Sequence, residues 1–294
     1  MTFSGDGIYR IEHGRVPVRI ALARHSSEDG AAIVVWNLKD EYLDHLWLIK
    51  SVPGQADTYT IRNTVGGTYM DLKKSSRDNG TPIIGWHWTG NDNQKWIIKK
   101  ETSGTGCWKI QNKAAESFID LYDGESADGS KIVGWQSSWN DGPPGKSLGH
   151  QLWTFSPQSL FGHEIHTILK TNPYLRQDFK SYISDGMYLI LSRTQLQEIW
   201  SKMGLTSKDW RSEIFDCDDF AFTFKTEVAK WGKNEFNANG FAILCGVMFG
   251  TRGSSGHAYN WMIDPSDHAS IIFFEPQNGS FMYNPGYNAY FGVF

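Results

Sequence analysis

IALARHSSEDGAAIVVW at residues 20–36, MDLKKSSRDNGTPIIGW at 70–86 and IDLYDGESADGSKIVGW at 119–135 are three copies of one cassette. Each passes through an Asp-Leu step (Ala-Leu in the first copy) and a polar turn to an apolar run that ends in Trp. Each is then closed by a second Trp, in HLW, QKW or QLW, at Trp47, Trp96 and Trp153. Three copies at a period of about fifty residues mean one supersecondary unit used three times. No copy carries a helical apolar stripe, and short alternating runs broken by Asp, Asn, Gly and Ser read as hairpins. Three such units around a pseudo-threefold axis close into a small barrel without exposed strand edges. The repeats occupy about 1–50, 51–100 and 101–156.

The QxW endings and the fifteen-residue offset from Asp to Trp (71 to 86, 120 to 135) resemble the ricin B-type β-trefoil, which implies carbohydrate binding by residues 1–156. The closing Trp of each copy reads as core, the largest apolar contribution a small barrel can collect. The Asp and the Trp fifteen residues later suit a galactose, whose C–H face packs on the ring while its hydroxyls donate to the acid. Asp71 with Trp86 and Asp120 with Trp135 meet this requirement, and Asn93, Gln94, His150 and Gln151 are the polar partners further on. In the first copy the acid is Ala21 and the Gln is His45, so two working sugar sites are expected, with Trp36 left to stack in a weakened or lost first site. The loop after Trp135 is longer than its counterparts, which leaves room for a larger sugar or for partial covering of the third site.

At 294 residues the chain fits two domains, and the stretch 157–294 is long enough for a second core. Aromatic residues make up 14% of the chain and lie in both halves, which suits folded domains and argues against disorder. A net charge of -4 with no Lys/Arg run gives no footing for nucleic acid. No apolar stretch is long enough to span a bilayer as a helix, and MTFSGDGIYRIEHG carries no signal-peptide pattern. Three scattered cysteines make no disulfide framework, so a reduced, cytoplasmic setting is expected. Cys245, inside FAILCGVMF, reads as core; Cys107 has no acid or base beside it.

After about residue 157 the pattern becomes mixed α and β. QLQEIWSKMGL and FAFTFKTEVAKWG have helical spacing, whereas GFAILCGVMFG and SIIFFEP read as buried strands. Phe220, Ala221, Phe224, Val228 and Trp231 fall on one helical face, which places Cys217 at the first turn, where unpaired N–H groups and the dipole favour a thiolate. HAYNWMIDPSDHASIIFFEPQNG reads as a hairpin centred near Ser266. His257 and Glu275, nine residues to either side, would then face each other with Cβ atoms about 5 Å apart. A carboxylate there would hold the imidazole in its productive tautomer. A helix-start Cys followed by His and then a carboxylate is the papain-like layout.

WRSEIFDCDDFA (210–221), NGFAILCGVMFG (239–250), HAYNW (257–261), FFEPQNG (273–279) and, in the first half, GTYMDL and GNDNQKWII resemble the fungal chimerolectin family of the Marasmius oreades agglutinin and Polyporus squamosus lectin. The resemblance implies a ricin B-type trefoil fused to an α+β, papain-like cysteine protease and dimerisation domain. It implies Cys217 as nucleophile, His257 as base and acid, Glu275 as its orienter, and Trp210 and Gln277 in an oxyanion or cleft-lining role. It also implies calcium. Asp218 and Asp219 directly follow the nucleophile and would repel a thiolate unless a hard cation neutralises them; they are expected ligands, with Asn260 as a carbonyl contributor. The bland alternative is that both are helix-start acids.

The implied partners are cell-surface glycans ending in galactose or sialylated galactose, a protein or peptide substrate, and a second copy in a homodimer. The implied biology is a defence toxin and agglutinin acting on a consumer's glycans after ingestion. Two rivals stand: a non-enzymatic agglutinin whose second half only dimerises, and a transglutaminase-like acyl transferase. No carboxylate pair linked to the sugar cassettes points to a glycosidase.

Overall fold

The computed structural model describes residues 3–102, 104–136 and 149–294. They divide into two compact units, one running to Gln158 and including Phe236–Asn239, the other comprising Ser159–Glu235 and Gly240–Phe294.

The first unit spends four strands on each repeat. The first repeat supplies β1 (Gly7–His13), β2 (Val18–Leu22), β3 (Ala31–Asn37) and β4 (Leu46–Ser51). The second supplies β5 (Thr58–Asn63), β6 (Tyr69–Leu72), β7 (Thr81–Trp86) and β8 (Trp96–Lys100). The third supplies β9 (Trp108–Asn112), β10 (Phe118–Leu121), β11 (Ile132–Trp135) and β12 (Trp153–Pro157). Strands β1, β4, β5, β8, β9 and β12 pair in that order, and β12 returns to β1, so the ladder closes into a barrel. The hairpins β2–β3, β6–β7 and β10–β11 cap one end, joined by β3–β7, β7–β11 and a Val34–Lys131 bridge. Closure removes the free edges that would otherwise template aggregation.

Trp47, Trp96 and Trp153 are fully buried, and each indole Nε1 donates to a carbonyl at the equivalent place in its own repeat: Ile20 at 2.9 Å, Met70 at 2.9 Å and Ile119 at 3.0 Å. A ring so placed contributes about 3–5 kcal/mol, judged by the usual cost of truncating a buried Trp. The recurrence of Trp at this spacing is therefore a packing requirement met three times.

The second unit begins with β13 (Ser159–Phe161) and α1 (Gly162–Lys170), then β14 (Leu175–Tyr182), β15 (Met187–Leu189) and α2 (Arg193–Met203). Next come α3 (Cys217–Glu235), β16 (Ala242–Ile243), β17 (Gly246–Arg252), β18 (Ser255–Ile263), β19 (Ile271–Glu275), β20 (Ser280–Met282) and β21 (Asn288–Val293). Its main sheet has the order β14-β21-β17-β18-β19-β20, and β13, β15 and β16 form a second, smaller one. Helix α2 starts on a Ser192–Gln195 capping box and stops at Gly204, whose φ of 73° suits a residue without Cβ. Helix α3 buries Phe220, Ala221, Phe224 and Val228 as its periodicity predicts, while Trp231 is half-buried and Gly232 completes the stripe. The predicted strand through GFAILCGVMFG is broken: Leu244 and Cys245 separate β16 from β17, which lie in different sheets. Among the described residues no helix is long and apolar enough to cross a membrane.

Candidate functional site

In the trefoil the fifteen-residue offset becomes a geometric relation. Asp71 pairs with Ile84 and Tyr69 with Trp86, so Asp71 and Trp86 are diagonal neighbours on one face of the β6–β7 hairpin. Asp120 and Trp135 repeat the arrangement through the pairs Asp120–Val133 and Phe118–Trp135. Each Trp is also held by the turn of a neighbouring repeat. Trp86, Trp135 and Trp36 each lie close to one glycine there: Gly30, Gly80 and Gly129 respectively. The neighbouring turn residues Asp29, Asn79 and Asp128 accept the N–H that follows each ring, from His87 at 2.6 Å, Gln136 at 2.8 Å and Asn37 at 2.8 Å. The indole is thereby preorganised, which lowers the ordering cost of stacking a sugar on it.

Both acids are nearly buried. Burial pushes Asp71 up to about 6 against the pull of the facing Gln94 and Asn93 amides. Burial likewise lifts Asp120 to about 6, opposed by Gln151, whose Nε2 donates to Asp120 Oδ2 at 3.0 Å. Gln94 is oriented at both ends, its Oε1 accepting from Thr89 N–H and its Nε2 donating to the His87 carbonyl at 2.7 Å. Asn93 donates to the Leu72 carbonyl, and His150 Nδ1 stands 3.9 Å from Asp120 Oδ1.

The first repeat is not simply an acid short. Asp44, at the position of Asn93 and His150, brings a buried carboxyl to within 3.4 Å of His25 Nε2, and a His45 imidazole lowered to about 3, by burial first and then by Arg19 and Arg10, fills the Gln place. Reading only the Asp-Leu step overlooks Asp44. The long loop after Trp135 lies outside the described residues from 137 to 148.

In the second unit Asp216 caps helix α3. Its carbonyl accepts from Phe220 N–H at 3.1 Å, and its carboxylate takes the Cys217 and Asp218 N–H groups together with that of Glu213. Asp219 reaches back to the Asp216 N–H at 3.1 Å, completing a reciprocal cap. The Asp219→Ala variant should therefore lose about 1 kcal/mol in denaturant unfolding measured with chelator present; no loss would free this carboxylate for another duty.

Cys217 opens the helix half-buried, and its thiol lies within hydrogen-bonding reach of His257. His257 Nε2 meets Glu275 Oε2 at 2.6 Å, which leaves Nδ1 for the sulfur. Burial alone would disfavour the imidazolium, but the hydrogen bonds to Cys217 and Glu275 and their charges outweigh it and raise His257 to about 10. Glu275 is itself anchored, its Oε1 accepting the Gln277 N–H at 3.2 Å.

The predicted register of this hairpin is wrong by two residues. Asn260 pairs with Phe274 and Trp261 with Phe273, so Tyr259 faces Glu275 and the centre is Asp267. Asp264 and Asp267 cap a turn that runs to Ser270, with His268 in the left-handed region, and this displaces the centre. The His257–Glu275 contact survives as a diagonal pair on one face, still within reach of long side chains.

Two residues with no advance signal complete the surroundings. The ring of Tyr287 lies 5.0 Å from that of His257, and Trp200 Nε1 donates to the Pro276 carbonyl at 2.7 Å, bracing the turn after Glu275. Trp210 is half-exposed after a short 3-10 turn, and among the described residues no hydrogen bond joins Trp210 or Gln277 to Cys217 or His257.

The grouping of acids differs from the expected one. Ligand atoms of Asp216, Cys217 and Asp218 lie within 4.8 Å of one another, and Asp216 and Asp218 share a hydrogen bond that holds Asp218 above the usual carboxylate range and Asp216 below it. Asp216 is absent from the predicted ligand set, although an Asp just before a helix is a cap signal legible in sequence. Asn260 is fully buried, and its Nδ2 donates to the carbonyls of Ala221 at 2.9 Å and Gly246 at 3.1 Å, tying α3 to the sheet. Cys245 is buried and pushed up to about 12 by desolvation, as an inert core thiol should be.

A family model described as Ricin-type beta-trefoil lectin domain-like matches residues 43–135, and one described as Agglutinin C-terminal matches residues 188–281. Two solved structures each share 46% identity with this chain at a TM-score of 0.89, covering 100% of both chains. One is a complex of PSL1a with E64; the other is Polyporus squamosus lectin bound to the human-type influenza-binding epitope Neu5Acα2-6Galβ1-4GlcNAc. Comparison with curated proteins gives no match.

Proposed function

Because the chain belongs to the family of Polyporus squamosus lectin, joining a ricin B-type lectin domain to an agglutinin C-terminal domain, we propose that it binds galactose-ended and sialylated glycans and carries a papain-like, calcium-dependent cysteine endopeptidase. The observation that carries the enzymatic half is the Cys217–His257–Glu275 chain of contacts at the start of α3. The complex of a relative with E64 supports it.

In this reading the Cys217 thiolate attacks the scissile carbonyl and forms an acyl-enzyme. The proton held at His257 Nδ1 passes to the leaving amine, and the same nitrogen then takes a proton from the water that releases the acid. Glu275, on Nε2, holds the ring in the tautomer and orientation this shuttle requires. Gln277 acts through its main-chain N–H on Glu275, as a positioning residue.

Asp216 and Asp218 fit a hard cation: two carboxylates whose contact raises Asp218 and lowers Asp216 already face one another, with Asp219 adjacent. Bound calcium would neutralise carboxylate charge beside the thiolate. Hydrolysis of a denatured protein in reducing buffer, with calcium and then with chelator, tests this. Turnover confined to the calcium arm is expected, and equal rates in both would remove the metal from the mechanism.

On the lectin side, pairing of two chains through their second units would present four sugar sites and give avidity through effective concentration. Agglutination and delivery of the protease to a consumer's glycosylated surfaces follow from that arrangement.

A further inference from the structure

We propose that Tyr287 and Arg252 form a specificity ledge on the leaving side of the protease site, where the residue carrying the departing amine packs on Tyr287 and sets a carboxylate side chain on Arg252. The inference rests on the protease reading above and names the class of peptide bond cut fastest there, one followed by Glu or Asp.

The chemistry dictates where such a ledge must lie. The departing amine takes its proton from His257 Nδ1, so its nitrogen has to come within about 3 Å of that atom. The side chain of the residue after the scissile bond therefore starts beside the imidazole. Cys217 and Glu275 already engage the two ring nitrogens, and Tyr259, with its ring centroid 6.0 Å away, is fully buried. Tyr287, at 5.0 Å, is half-buried and offers an aromatic surface that an incoming residue can touch.

Strand pairing builds the ledge. Gly250 is the direct partner of His257 across β17 and β18, and a Cβ there would meet the Tyr287 Cβ at 2.9 Å and the Tyr259 hydroxyl at 3.0 Å. Glycine at this place leaves Tyr287 room to settle next to the imidazole. Arg252, two residues further along β17, lies on the same face as Gly250 and His257.

The Arg252 guanidinium carbon stands 5.0 Å from the Tyr287 ring centroid, and stacking on the ring steadies an exposed, long side chain. Among the described residues Arg252 enters no ion pair, so its planar fork is open to a bidentate contact with a carboxylate. Imidazole, phenol ring and guanidinium thus follow one another in steps of 5.0 Å, a span that a Glu side chain starting beside His257 can bridge.

The test is digestion of a mixture of denatured proteins by the full chain in reducing buffer with calcium, with the new N-terminal residues identified by mass spectrometry. The readout is the frequency of Glu and Asp at those ends relative to Lys and Arg, each corrected for its abundance in the substrate. Wild type should favour the acids about two- to fivefold, the range for one exposed ion pair. Arg252→Gln should bring the ratio close to one, and Arg252→Glu should invert it. In the wild type the preference should also shrink as salt is raised, a reading that needs no variant. A wild-type ratio near one, or a ratio that ignores both substitutions and salt while cleavage continues, overturns the ledge alone. Absence of any cleavage by the wild type sinks the protease reading, and the ledge with it.

Discussion

Cys217→Ala is expected to abolish peptide-bond cleavage, and Glu275→Gln to lower kcat by about a hundredfold to ten-thousandfold. The first removes the attacking atom. The second leaves nucleophile and base in place but replaces the charged acceptor that meets His257 Nε2 at 2.6 Å. His257 is raised to about 10, so its proton is present through the neutral range and is lost as pH climbs through that value. Relative to an unfolded histidine near 6.5, the associated stabilisation is complete below about pH 6.5 and disappears as pH rises through about 10. Taking away the Glu275 charge should therefore move the alkaline limb of the rate profile to lower pH, a displacement that a merely misfolded variant would not produce. Steady-state cleavage of a denatured substrate across pH, with circular dichroism to verify folding, is the measurement. Wild-type rates in Cys217→Ala would refute the nucleophile and leave a lectin whose second unit does something else.

The second large effect concerns the sugar cradles. Substituting both Asp71 and Asp120 by Asn should weaken galactoside binding about ten- to a hundredfold at each cradle, since a hydrogen bond to a charged acceptor is worth about 1.5–3 kcal/mol. Both acids are raised to about 6 by burial. Sugar hydroxyls donate to the ionised form, so wild-type affinity should fall as pH drops through about 6, and the Asn variants should lose that dependence. The sign for folding is the opposite: an acid raised above its unfolded value near 3.9 destabilises the folded state progressively as pH rises between the two values. Titration with a galactoside at several pH values, alongside unfolding curves at the same pH, separates the two. Binding that does not change in the double variant would return the acids to a purely structural role and leave Trp86 and Trp135 as the whole site.

The trefoil was legible because its determinants are local and repeated. An alternation of period two, a turn of Asp, Asn and Gly, and Trp at a constant offset define a hairpin wherever they occur, and three copies average out the exceptions. The stripe of α3 was legible for the same reason at period 3.6, and it placed Cys217 at a helix start. The hairpin joining β18 and β19 was legible as a hairpin but not in register. Side chains of Asp264 and Asp267 lengthen its turn, and a two-residue shift keeps every apolar residue on its own face, so the hydrophobic pattern does not choose between the two alignments. The acid group at the start of α3 was assigned by adjacency to the cysteine. Helical geometry instead turns Asp219 back to cap Asp216 and leaves Asp216 facing Asp218.

By itself, then, the chain's sequence determined a threefold β unit followed by an α and β unit, the burial of its closing tryptophans and the candidacy of Cys217, His257 and Glu275. These depend on short-range periodicity and residue chemistry, which are present before any long-range contact forms. Only the tertiary structure decided that Tyr287 meets His257 and that Asp44 stands in the first repeat's cradle. Those meetings follow from strand pairings closed across long stretches of chain, and a side chain's local neighbours carry no information about what such closure brings beside it.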